Sequence, residues 1–123
     1  MNWRRLPIVR ILFSGPENVR STNTDECTMA QFRLDGENFG SAGERDQVHR
    51  FASAVASRLK QSGSGVYDGD EFGNGLCRLF FYGHDADRLF DDIYPLLSAW
   101  SKMKGGQITK RNGNKERSET IDV

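Results

Sequence analysis

The chain has 123 residues, 37% hydrophobic and 28% charged, enough apolar material for one core without disulfide or metal staples. No apolar run approaches the roughly 20 residues that span a bilayer, and Met1 to Pro7 lacks the apolar centre of a secretion signal, so one cytoplasmic domain over residues 1–123 is the expectation. Its 17 basic residues balance 17 acidic ones, which leaves no overall electrostatic case for binding nucleic acid or anionic lipid.

Pro7 to Phe13 alternates in the manner of a strand, with Val9, Ile11 and Phe13 on one side. Ser14 to Asn18 breaks that pattern, and the polar stretch from Ser21 to Glu26 has no periodicity, which predicts an irregular segment. Thr28 to Leu34 is a second strand, with Ala30, Phe32 and Leu34 on one face and Met29, Gln31 and Arg33 on the other. Ser41-Ala42-Gly43-Glu44 has the spacing of a capping box. The stripe of Val48, Phe51, Ala52, Val55 and Leu59 then predicts an amphipathic helix that ends at Ser62-Gly63-Ser64-Gly65. Between Gly65 and Gly83 the chain reads as a β-hairpin, with Gly73-Asn74-Gly75 as its turn, because Gly and Asn tolerate positive φ. Asp85 is the expected N-cap of a second helix carrying Ala86, Leu89, Phe90, Ile93, Leu97 and Trp100, with a kink or break at Pro95. Gln107 to Arg111 and Ser118 to Val123 read as two further strands around an Asn112-Gly113-Asn114 turn.

From Thr28 onward the order is strand, helix, strand, strand, helix, strand, which predicts an α+β, ferredoxin-like split βαβ sandwich. Its antiparallel sheet would carry both helices on one face, and the first and last strands would extend it as hairpin partners. Leu79 then points at the helices and Arg78 away, so truncating Leu79 is expected to cost far more stability than truncating Arg78. The side bearing Leu76, Arg78, Phe80 and Tyr82 is left as an uncovered contact surface, for a partner or for a second copy of the chain in a homodimer.

Charge is unevenly placed. Val66 to Trp100 carries seven acids against Arg78 and Arg88, whereas Ser101 to Arg117 carries six bases against Glu116. Asp68-Gly69-Asp70-Glu71-Phe72-Gly73 begins like a calcium loop, but Phe72 and Leu79 stand where ligands are needed. The glycines there have acids beside them that would repel an anion and no following Lys-Ser/Thr pair, so a tight hairpin is a better reading than a phosphate cradle. His49 and His84 have no nearby ligand set, Ser64 lacks the spacing of a nucleophile elbow, and Cys27 and Cys77 have no metal-knuckle spacing, so both are expected as unpaired thiols. The sequence therefore implies no catalytic residue, metal or cofactor. Its best candidate site is an exposed face formed by Tyr67, Asp68, Asp70, Glu71 and Phe72 of the hairpin with Asp91 and Asp92 of the second helix, suited to docking a basic protein.

Tyr67 to Gly73, Leu79 to Asp87 and Leu89-Phe90 (YDGDEFG, LFFYGHDAD, LF) together resemble a family of small uncharacterised bacterial proteins, over roughly residues 40 to 123. Gly65 to Gly69 after a helix is similar to ferredoxin-like regulators that bind and inhibit ribonuclease E. The resemblance implies a non-enzymatic bacterial α+β domain and leaves the first strand and loop outside it. A protein-binding module that inhibits or regulates a partner such as a nuclease or toxin, in the manner of an immunity protein, is the resulting expectation. The alternative is an enzyme or small-ligand protein using the acidic hairpin face.

Overall fold

A computed structural model describes residues 9–12, 26–111 and 118–123. Within them the chain forms β1 (Val9–Leu12), β2 (Glu26–Arg33), α1 (Ala42–Ser62), β3 (Val66–Gly73), β4 (Leu76–Gly83), α2 (Ala86–Ala99), a 3-10 turn (Ser101–Met103), β5 (Gln107–Arg111) and β6 (Ser118–Asp122). The expected irregular segment up to Asp25, the flanks of the first strand and the Asn112-Gly113-Asn114 turn lie outside the described residues. Glu26 and Cys27, expected near the end of the loop, already belong to β2.

The six strands form one antiparallel sheet in the order β1-β3-β4-β2-β5-β6. β6 folds back on β5 as a hairpin partner, as expected. β1 does not pair with β2, its neighbour in sequence; it runs along β3, with Val9 opposite Phe72 and Arg10 opposite Glu71. β3 is thereby an interior strand, with consequences for the acids it carries.

The two helices share one face of the sheet. Val48, Val55 and Leu59 of α1 and Leu89, Ile93 and Leu97 of α2 join one buried cluster with Ala30, Phe32, Phe72, Leu79, Phe81 and Ile108. Each fully buried Leu, Ile or Phe contributes roughly 1.5 to 3 kcal/mol, so packing rather than helix propensity holds these elements. The outcome at Pro95 follows from the same magnitudes. α2 runs through the proline to Ala99 without the expected break. An interior proline costs about 3 kcal/mol, which burial of Ile93 and Leu97 on either side offsets. Trp100 closes the end of the core, stacked on Phe51 with centroids 3.8 Å apart and set edge-on to Phe32 at 5.0 Å. Met103 of the 3-10 turn, not anticipated from the sequence, fills the space beneath.

The two ends of the hairpin are built differently. Asn74 and Gly75 have φ of 52° and 74°, the consecutive positive values that a two-residue type I′ turn requires. At the other end Gly65 and Gly83 pass within a Cα-to-Cβ contact of each other. A Cβ on Gly65 would collide with the Tyr82 carbonyl oxygen, and one on Gly83 with that of Ser64. Cys27 and Cys77 lie on opposite faces of the sheet, and no disulfide joins them.

Leu79→Ala is expected to lower unfolding free energy by about 2 to 5 kcal/mol, since it leaves a cavity between sheet and helices. Arg78, expected to matter little, is fully buried and donates through Nε to Gln31 Oε1 at 3.0 Å. Its truncation strands buried polar groups, so Arg78→Ala is expected to cost about 1 to 3 kcal/mol. Urea midpoints of the two variants at constant m-value check both figures.

Candidate functional site

The acidic hairpin face does not form. Because side chains alternate along β3, Asp70 and Phe72 point to the helix side and Glu71 to the opposite side. With β1 on one flank and β4 on the other, Asp70, Glu71 and Phe72 are all buried, at 1%, 8% and 1% exposure. Glu71 sits 4.0 Å from Arg78 Nη1. Asp68, at the β-bulge between Tyr67 and Gly69, is half-buried. On α2, Asp91 is exposed, while Asp92 accepts hydrogen bonds from the hydroxyls of Ser62 and Ser64, which hold its carboxyl below the usual range. Asp70, Glu71 and Asp92 are thus fasteners at separate places in the fold.

Asp70 is the centre of a small cluster. Its Oδ2 accepts from the Tyr67 hydroxyl at 2.6 Å and lies 3.1 Å from His49 Nε2 on α1, while Oδ1 is buried without a hydrogen-bond partner. The His49 ring also stands edge-on to Phe72 at 5.8 Å. Burial and the neighbouring Asp70 push the Tyr67 phenol up. Burial likewise pushes the Cys77 thiol up, so it is no activated nucleophile to accompany the His49–Asp70 pair. Among the described residues, no three His, Cys, Asp or Glu side chains are grouped to hold a metal ion. No helix among them is long and apolar enough to cross a membrane.

The sheet face opposite the helices is also not the uncovered surface expected. Arg78 and Phe80 are buried, and Phe80 joins Cys27, Met29 and the half-buried Tyr82 in a second apolar cluster. Leu76, at the end of β4, is half-buried. It lines a concavity at that end of the hairpin.

That concavity is a groove of about 650 Å³ bounded by Arg33, Leu34, Asp35, Gly36, Glu37 and Asn38 on one wall and by Asn74, Gly75 and Leu76 on the other. Its volume falls within the roughly 300 to 1,000 Å³ of ligand-binding clefts. The walls are tied by backbone hydrogen bonds, Leu34 N–H to Gly75 O at 2.7 Å and Gly75 N–H to Asn38 O at 2.8 Å. Glu44 stiffens the loop from behind. Ser41 caps α1 by accepting from Glu44 N–H at 3.1 Å, as the capping box predicts. The Glu44 carboxylate, instead of turning back to the Ser41 amide, accepts from Asp35 N–H at 2.6 Å and Gly36 N–H at 3.2 Å. It also takes a 2.6 Å ion pair from Lys102, which reaches Asp35 at 3.2 Å. Burial alone would raise the Glu44 pKa, but Lys102 and the two amides outweigh it and the carboxyl is held below its ordinary value. Burial likewise opposes the charge on Lys102, and Glu44 with Asp35 overcomes it, so its pKa is raised.

This groove is not legible in the sequence. Its signals were present in the Asn74-Gly75 turn and in Glu44, but what joins them is a contact between segments about forty residues apart. No protein-family model, curated protein or solved structure matches the chain, so the resemblance noted above rests on its quoted residues alone.

Because the folded pKa of Glu44 lies below its ordinary 4.5, the stabilisation it provides is fully present above pH 4.5 and is lost as pH falls through the lower, folded value. Glu44→Gln is expected to cost about 1 to 3 kcal/mol at neutral pH by weakening the bonds to Lys102 and the loop amides. It should also flatten the fall in stability below pH 4.5. Urea unfolding at several pH values between 3 and 7 measures both effects; parallel wild-type and variant curves would show that Glu44 is not the linked group.

Proposed function

We propose that the protein is a small ferredoxin-like binding module that holds a segment of a partner protein in the groove between the β2–α1 loop and the Asn74-Gly75 turn, and in doing so inhibits or regulates that partner. The ferredoxin-like assignment is supported by the strand order β3-β4-β2-β5, with α1 linking β2 to β3 and α2 linking β4 to β5 on one sheet face. β1 and β6 add to its two edges.

The groove carries the functional reading. Its walls are fixed by hydrogen bonds made within the chain, so little ordering cost remains for binding, and an occupant keeps more of its interaction energy. Its floor includes Leu34 and Leu76, and exposed polar side chains form its rim. An apolar centre with a polar border is the usual anatomy of a protein-binding patch. A basic partner such as a nuclease or toxin would not find Asp70 and Glu71 at the surface, so the docking surface proposed here is this end of the sheet.

Selection from a displayed library of random decapeptides, followed by titration of the selected peptide into isotope-labelled protein, tests the proposal. Amide shift changes concentrated in residues 33–38 and 74–76 are the expected result. Changes centred instead on Asp91 and α2, or on Tyr82, would place binding elsewhere, and failure to select any peptide would sink the reading.

A further inference from the structure

Three acids are buried among the described residues, and each faces a different kind of cation. Glu44 meets the Lys102 ammonium at 2.6 Å, and Glu71 lies 4.0 Å from a guanidinium nitrogen of Arg78. Lysine and arginine ordinarily keep their charge throughout the neutral range. Asp70 instead faces His49 Nε2 at 3.1 Å, with the imidazole 44% exposed and the carboxylate 2%. Histidine is the side chain that ordinarily gains or loses its charge near pH 6.5, so of the three counter-charges this one alone depends on a proton available at neutral pH.

The other groups around the pair supply no second cation. On β3, Tyr67 donates a hydrogen bond to Asp70 Oδ2 at 2.6 Å, and burial together with Asp70 pushes its phenol up, so it remains a neutral donor. Asp68, the next residue along, is a further acid at the bulge. On β4, Leu79 stands opposite Asp70 and Cys77 opposite Phe72, with burial pushing the thiol up. β1 sets Ile11 opposite Asp70 and its one charged residue, Arg10, opposite Glu71. On α1 itself, Arg45 donates to the Phe39 and Gly40 carbonyls, and Arg50 pairs with Asp46. Arg88 and Asp92 of α2 meet the far end of α1, at Ser62. Asp70 Oδ1 is buried without a hydrogen-bond partner.

We propose that His49 and Asp70 form a proton-operated clamp between α1 and β3, tight while the imidazole carries its proton and loosened when that proton is lost. A carboxylate withdrawn from water is costly to keep charged without a counter-charge. Protonated His49 supplies one, whereas neutral His49 leaves Asp70 with the Tyr67 hydroxyl alone. The stabilisation is therefore present in mildly acidic solution and is lost as pH rises through the titration of the imidazole. α1 is seated more firmly on the sheet in the first condition than in the second.

A double-mutant cycle of His49→Gln and Asp70→Asn, read by urea unfolding at about pH 5.5 and about pH 7.5, tests the clamp. Glu44, held below 4.5, and Lys102, raised above 10.5, keep their charge at both values and add no slope between them. The expected result is a coupling that multiplies the folding equilibrium constant about fivefold or more at the lower pH and less than about twofold at the higher. His84→Gln, at the other histidine, is expected to leave that difference unchanged. Equal coupling at the two pH values would overturn the clamp, and so would the absence of coupling at both. If Asp70→Asn does not fold, wild type and His49→Gln decide alone: a ratio of their folding constants that falls from the lower pH to the higher supports the clamp, and a constant ratio overturns it.

Discussion

The Glu44 carboxylate sits where the end of β2, the start of α1 and the 3-10 turn after α2 meet, and it is the contact that these three segments share. A carboxylate with little solvent access persists in charged form only when its lone pairs are met. Here two amides and an ammonium meet them. The same bonds fix the loop at Asp35 and Gly36, and through them one wall of the groove. Lys102 belongs to the segment that also inserts Met103 into the core, so core packing after α2 and loop geometry before α1 are set by one cluster of charges.

The second constraint is the placement of β1. A strand added along β3 turns what would be an edge into an interior position. Asp70 then lies between the sheet and α1, where Tyr67 donates a hydrogen bond to it and His49 Nε2 lies 3.1 Å away, and Glu71 lies beside Arg78 on the other side. Acids that would steer a basic protein if exposed become internal ties. They cost desolvation and return specificity of strand register, since a one-residue slip would exchange the surroundings of Asp70 and Glu71.

The sheet and helices were legible because each element has a strong local signature. The period-3.6 stripe of Val48, Val55 and Leu59, the Asp85 cap and the Asn74-Gly75 turn all appear as their residues indicate. The division of β4 between Cys77, Leu79 and Phe81 on the helix side and Arg78 and Phe80 on the other was legible from alternation alone. The candidate site was not. A strand pattern says which residues share a face, but not whether another strand lies beside it, so the burial of Asp70, Glu71 and Phe72 depended on a pairing between segments some sixty residues apart. Glu44 was legible as part of a capping box only to the extent that capping is local; Asp35, Gly36 and Lys102 are brought to it by the tertiary fold.

The close passage of Gly65 and Gly83 divides the hairpin into a shut end and an open one. At the shut end backbone meets backbone, and Leu89 of α2 closes over Gly65, so neither an inserted residue nor a side chain can be admitted without moving a helix. At the other end the Asn74-Gly75 turn forms one wall of the groove. Leu34 N–H to Gly75 O and Gly75 N–H to Asn38 O tie that turn to the β2–α1 loop, so its length is set by those two bonds. The hairpin is thereby fixed at its two ends by different means, by close backbone packing at one and by backbone hydrogen bonds from a positive-φ turn at the other.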